Sequence, residues 1–184
     1  MAEIIVETAR LRLRTWDDAD IAPFMAALNT PAVMRWLGGV QSEDDFRAGV
    51  ARWHDCQRDH GHSFWILERL SDDELLGFCG LKRVNATGAP MIGDFEIGWR
   101  LREDAWGHGY AREAAEATLG LAFHRFDAPH VVAMTVRENV ASWALMQRLG
   151  MTRARDLDFS GRWVPTGPIE DSIVYTITKG EWTT

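Results

Sequence analysis

Trp106-Gly107-His108-Gly109-Tyr110-Ala111 is the stretch on which the reading of this chain depends. Residues 94–101 before it (DFEIGWRL) read as a strand, and residues 111–126 after it, rich in Ala, Glu and Leu, read as a long helix. Two glycines at a strand-to-helix junction let backbone N–H groups approach a ligand closely. The helix start adds the positive end of its dipole, so the junction suits an anion such as phosphate, unless the glycines merely shape a tight turn. No Gly-Lys-Ser/Thr follows, which excludes a Walker loop, and the third glycine of a dinucleotide fingerprint is missing.

Downstream, residues 131–136 form a short apolar strand, and Asn139 opens a helix that stops at Leu149-Gly150-Met151. Two strands follow, about 153–159 and 172–178. Strand, turn, helix and strand make a crossover unit, so the strands around Glu96 and Val132 are expected to be parallel neighbours. Upstream, residues 63–68 and 75–81 flank the polar turn Ser71-Asp72-Asp73 as a hairpin. Residues 10–15 alternate apolar and charged. Asp17 and Asp18 open a helix running to about Leu28, and Ser42-Glu43-Asp44-Asp45 opens another, with Phe46, Val50 and Trp53 at helical spacing and a stop near Gly61. The order β-α-α-β-β-β-α-β-α-β-β predicts an α/β (α+β) fold with a mixed sheet, and without repeats or a long linker the reading is a single domain over 1–184.

The 184 residues suffice for a full core, and 46% apolar with 26% charged is ordinary globular composition. A net charge of −7 argues against nonspecific nucleic-acid binding and accords with a cationic partner such as an amine. No apolar run approaches the roughly 18 residues of a membrane span, and no secretory signal is visible. Cys56 and Cys79 form no paired motif, so neither a zinc site nor a disulfide framework is expected, and a reducing cytoplasm is the default. His54, His60 and His62 lack a carboxylate or cysteine at ligand spacing. Ser63 and Ser160 lack the elbow of a hydrolase nucleophile.

Taken with its surroundings, the junction resembles motif A of the GNAT superfamily of N-acetyltransferases, Q/R-x-x-G-x-G/A, with Trp106 where Gln or Arg is usual. Glu96-Ile97-Gly98-Trp99-Arg100-Leu101 before it and Arg112-Glu113-Ala114-Ala115 after it are similar to the RimJ/RimL-like branch, the ribosomal-protein N-alpha-acetyltransferases. So are Asn139-Val140-Ala141-Ser142, Arg148-Leu149-Gly150-Met151 and the opening Thr8-Ala9-Arg10-Leu11-Arg12-Leu13-Arg14, which together extend the resemblance over residues 6–180. It implies a mixed, mostly antiparallel sheet of about seven strands, splayed between the fourth and fifth (94–101 and 131–136), flanked by about four helices.

It further implies acetyl-CoA as co-substrate, with no metal. Main-chain groups around Trp99, Arg100 and Leu101 would pair with the pantetheine arm, one N–H polarising the thioester carbonyl. The N–H groups of Gly107, His108, Gly109, Tyr110, Ala111 and Arg112 would take the pyrophosphate, with Arg102 and Arg112 adding charge or staying solvated. Asn139 reads equally as a helix cap or as a contact to the cofactor and reacting centre. Ser142 would lie near the cofactor sulfur and is the best donor to the leaving thiolate, because the two tyrosines, Tyr110 and Tyr175, fall in the turn and on a terminal strand. Glu96, set among Phe95, Ile97 and Trp99, is a general base, an ion-pair partner or a carboxylate at a cleft rim, with Asp94 as the alternative base. The acceptor would be a primary amine, either a protein N-terminus or a small amine. Loops 33–39, 82–92 and 161–169 would face it, with Trp36 and Trp163 as pocket walls or core. The chain would work as a monomer or homodimer. A non-catalytic acyl-CoA sensor and a nucleotide-binding α/β protein are the rival readings.

Overall fold

The computed structural model describes residues 2–163 and 167–183. Its contacts group the chain into two compact units, Met1–Lys82 with Gly98–Thr118, and Arg83–Ile97 with Leu119–Thr184.

In the first unit, strands β1 (Ile4–Glu7), β2 (Leu11–Arg14), β3 (Phe64–Arg69) and β4 (Glu74–Arg83) pair antiparallel in succession, with Leu13 opposite Leu67 and Trp65 opposite Cys79. The expected hairpin is β3–β4. The alternation in β2 does what its pattern requires: Leu11 and Leu13 are buried while Arg12 and Arg14 remain partly exposed. Helix α2 (Glu43–His60) begins at the Ser42 position read from the sequence, whereas helix α1 (Ile21–Leu28) begins three residues beyond the expected Asp17-Asp18 start. Asp17 caps a 3₁₀ turn at Asp18–Asp20 that leads into α1, and the Ser42 hydroxyl accepts the Asp45 N–H. Trp16, Phe24, Phe46, Phe64 and Phe78 form the aromatic centre of this unit's core. Strand β5 (Phe95–Leu101) contributes its C-terminal half here, and helix α3 (Tyr110–His124) contributes its first turns. Gly77 is dictated by packing, since a Cβ there would lie 2.0 Å from the Arg100 carbonyl oxygen.

In the second unit, the N-terminal half of β5 runs parallel to β6 (His130–Val136), with Phe95 opposite Val131 and Glu96 opposite Val132. This is the parallel crossover expected from the order of elements. Along its full length β6 also pairs antiparallel with β9 (Glu170–Thr178), from His130 opposite Thr178 to Val136 opposite Ser172. Helix α4 (Val140–Arg148) follows β6, and the short strands β7 (Thr152–Arg153) and β8 (Phe159–Gly161) both pair with β9. Val84, Ala86, Met91, Val132 and Val174 make the core of this unit.

Thus the fold is α/β, with a mixed, mostly antiparallel set of strands and four α-helices among the described residues. Among the described residues there are nine strands where about seven were expected. One addition is β1, whose IIVE run carries no alternation and becomes a strand only because β2 offers it an edge. The other arises because the strand expected at 153–159 is broken. Residues Arg155–Leu157 make a 3₁₀ turn, and the Asp158 carboxylate accepts the Val174 N–H at 3.1 Å and is held by Arg153, which pulls the chain out of the ladder. Helix α3 also ends two residues early, at His124 rather than 126.

Candidate active site

After β5 the chain makes a 3₁₀ turn at Glu103–Ala105 and then the glycine turn. Gly107 and Gly109 both take φ of +79°, a left-handed conformation that L side chains enter only with strain. Space beside Gly107 is open, with nothing within 4 Å of where a Cβ would be. The turn delivers directly into α3, fifteen residues long, whose first N–H groups lack intrahelical partners. An open, left-handed turn at the head of a long helix has both the room and the donors that a pyrophosphate requires.

This turn is braced by residues about a hundred positions away. The Arg10 guanidinium donates to the His108 carbonyl at 3.0 Å, and its Nε donates to Glu113 at 2.7 Å. Glu113 also accepts the Thr8 hydroxyl at 2.6 Å and the Arg10 N–H at 2.9 Å. Partial burial pushes the Glu113 carboxyl upward, but the bonds from Thr8 and Arg10 outweigh it, so its pKa lies below the ordinary 4.5. Arg10 also covers the Tyr110 ring at 4.7 Å. Nothing in the motif pointed to this brace. The one available signal in the sequence is Thr8-Ala9-Arg10 itself.

Trp106 is half exposed and donates its indole N–H to the Leu101 carbonyl at 2.8 Å, which ties the turn to the end of β5. Within β5, Gly98, Trp99 and Arg100 are partly exposed while Leu101 is buried. Arg102 is engaged by Asp104 at 2.6 Å and by Glu74, so its charge is already matched. Arg112 pairs along the helix with Glu116 at 2.8 Å and is exposed.

In the second unit, Glu96 is buried, at 8% exposure, which removes the cleft-rim alternative. Asp94 is bonded to His130 Nε2 at 2.8 Å, an acid–imidazole pair that sequence reading did not single out because the partners lie 36 positions apart. Asn139 is a helix cap. Its Oδ1 accepts the Ser142 N–H at 3.4 Å, and its Nδ2 donates to Thr135 Oγ1 at 3.0 Å. Ser142 sits partly buried in the first turn of α4. Trp163 packs on the core of this unit and donates to Ser172 at 2.8 Å. Of the third acceptor loop, positions 164–166 lie outside the described residues. In the first unit Trp36 is partly exposed under Arg35. Among the described residues no three His, Cys, Asp or Glu side chains gather as a metal site.

A braced glycine turn at a helix start, placed after a strand of a mixed sheet, has the geometry found in the class of α/β proteins that bind phosphate groups. Residues 10–152 match the family described as the acetyltransferase (GNAT) domain, and the chain belongs to that family. It is similar to the uncharacterized protein YkkB of Bacillus subtilis, 32% identical over 78% of this chain and 83% of that one. It is also similar to the uncharacterized N-acetyltransferase YnaD of the same organism, 27% identical over 96% and 98%. Among solved structures, an acetyltransferase from Agrobacterium tumefaciens matches with a TM-score of 0.76 and 25% identity over 94% of this chain and 92% of that one. The RimL ribosomal L7/L12 alpha-N-protein acetyltransferase in complex with coenzyme A shares the fold at 19% identity, TM-score 0.74, over 96% and 98%. The chain is an acetyl-CoA-dependent N-acetyltransferase.

Proposed function

We propose that this enzyme transfers the acetyl group by direct attack of a primary amine, either a protein N-terminus or a small amine, within a ternary complex, as a RimJ/RimL-like acetyltransferase whose residues 1–184 act as one domain. The observation that carries the reading is the open turn at Gly107 and Gly109, held by Arg10 and Glu113 at the start of α3. The N–H groups from Gly107 to Arg112 hold the pyrophosphate of acetyl-CoA. Arg112 adds charge there, while Arg102 keeps its own carboxylates. Bound acetyl-CoA supplies an activated thioester carbonyl.

Around that carbonyl, the main chain at Trp99, Arg100 and Leu101 binds the pantetheine amides, and one of its N–H groups donates to the carbonyl oxygen as negative charge builds. The amine lone pair forms the C–N bond as the C–S bond breaks. Glu96, directly or through one water, takes the proton released by the attacking nitrogen. Ser142 donates a hydrogen bond to the departing thiolate and relays a proton to it from water, and Asn139 fixes the first turn of α4 on which Ser142 sits. Much of the acceleration is proximity. Among the described residues no helix is long and apolar enough to cross a membrane, and a cytoplasmic monomer or homodimer completes the reading.

The test is CoA release across peptides and small amines, with Glu96→Gln and Ser142→Ala beside the wild type. Each substitution is expected to slow turnover at least tenfold, about 1.4 kcal/mol of barrier. Wild-type rates in both variants would remove these roles and leave the cofactor site standing. Acetyl-CoA binding with no release against any amine would favour the sensor reading.

A further inference from the structure

The arginines of the first unit are matched to carboxylates almost wherever they are shielded from water. Arg14 holds both oxygens of Asp20 at 2.7 Å and also Glu68, and Arg102 holds Asp104 and Glu74. Arg100 is different. Among the described residues its Nε is closed to solvent and has no hydrogen-bond partner. Its guanidinium lies 5.2 Å from the centroid of the Phe78 ring. Phe78 is stacked on Phe64 at 4.8 Å and leans on Trp53 at 5.3 Å.

Burial lowers the Arg100 pKa to about 10, and no neighbouring carboxylate opposes the shift. That value is still well above neutrality, so the side chain remains a cation. A ring face compensates part of the lost hydration but leaves a strong donor unfilled. Removing a charge from water without a counter-ion is costly, and folding tolerates it where a ligand supplies the missing partner. Within β5, Gly98, Trp99 and Arg100 are partly exposed between buried Ile97 and Leu101. Residues 98 and 100 share one face of the strand. On that face Gly98 has no room for a side chain, since a Cβ would come within 2.7 Å of the Phe64 ring, and Arg100 is the group that projects.

We propose that Arg100 receives a carboxylate carried by the acceptor, so that the acceptor is an amine that also bears a carboxylate group. This rests on the acetyl-transfer reading above. A planar carboxylate fits the terminal Nη edge of a guanidinium with two parallel hydrogen bonds and supplies the counter-charge that Phe78 does not. The aromatic surroundings suit a compact monoanion rather than a doubly charged phosphate, whose desolvation is the more costly. The phosphates of the cofactor have their own donors in the turn at 107–112.

The experiment pairs each acceptor with its uncharged counterpart: β-alanine, glycylglycine and a peptide with an N-terminal glutamate, each beside its amide. CoA release is measured for the wild type, R100Q and R100K. The wild type is expected to prefer the carboxylate form by tenfold or more in kcat/KM, and in R100Q that ratio falls to near one. R100K keeps the charge but not the fork, gives an intermediate ratio, and serves if R100Q does not fold. Calorimetric titration of the CoA-loaded protein with the N-acetylated products and their amides reads the same preference without turnover. A wild-type ratio near one, or a preference that survives R100Q, overturns the proposal. So does an R100Q protein that loses affinity for CoA but not for dephospho-CoA, because the anion would then be the cofactor's. If CoA itself fails to bind, the acetyl-transfer reading fails separately, and titrating the unliganded protein with the same acids and amides still decides the role of Arg100.

Discussion

Replacing Gly107 with alanine separates the turn's part in folding from its proposed part in cofactor binding. At φ of +79°, with nothing within 4 Å of the new methyl group, the folded state meets strain but no clash. A left-handed L-residue costs about 1–2 kcal/mol. The stiffer unfolded chain returns about 0.5 kcal/mol of that. The net loss is about 1 kcal/mol, or a fall of about 2–4 °C in Tm for a chain of this size. Binding responds differently. The methyl group occupies the space assigned to the pyrophosphate, and any relaxation of φ turns adjacent N–H groups away from it. Affinity for CoA is therefore expected to fall by more than tenfold, about 1.4 kcal/mol or more. Calorimetric titration with CoA, set beside thermal unfolding of the unliganded protein, measures both. A Gly107→Ala protein that binds CoA like the wild type would place the pyrophosphate elsewhere and refute the site.

Three further expectations follow from the same geometry. Gly120 lies inside α3 with open space around a Cβ, so Gly120→Ala should raise stability by about 0.5–1 kcal/mol in urea unfolding without changing CoA affinity. Glu113→Gln removes the charge paired with the half-exposed Arg10 and should cost about 1 kcal/mol near neutrality. Because the folded pKa of Glu113 is depressed, its contribution is complete above the ordinary value of 4.5 and is lost as pH falls through the lower folded value. The stability gap between wild type and Glu113→Gln should therefore shrink from pH 6 toward pH 3, and a constant gap would contradict the assignment. Cys79 is fully buried beside Thr118 and its thiol is pushed up to about 12. A disulfide reagent at pH 8 should modify Cys56 in the native protein and reach Cys79 only after unfolding.

Sequence alone determined whatever is encoded within a few residues of its own signal. Ser42 and Asn139 are caps because their side chains satisfy N–H groups three residues on, and the glycines at 107 and 109 mark left-handed backbone that other residues avoid. Hydrophobic alternation placed β2, and the order of elements implied the parallel pairing of β5 with β6, while the register of Glu96 opposite Val132 came from the folded structure. Tertiary structure decided what depends on partners distant in the chain. Arg10 and Glu113, 103 positions apart, lock the turn, and His130 claims Asp94 across 36 positions. The break at 155–157 follows from Asp158 accepting a bond from β9 rather than from any breaker residue in the run. Glu96 and Arg100 look alike in sequence, as charges on an apolar strand. Only packing shows that one is a buried carboxylate and the other a cation over Phe78 with an empty donor, because burial and pairing belong to the assembled neighbours and not to the residue. The glycine turn alone is a place for an anion; the brace that holds it open exists only in the folded chain.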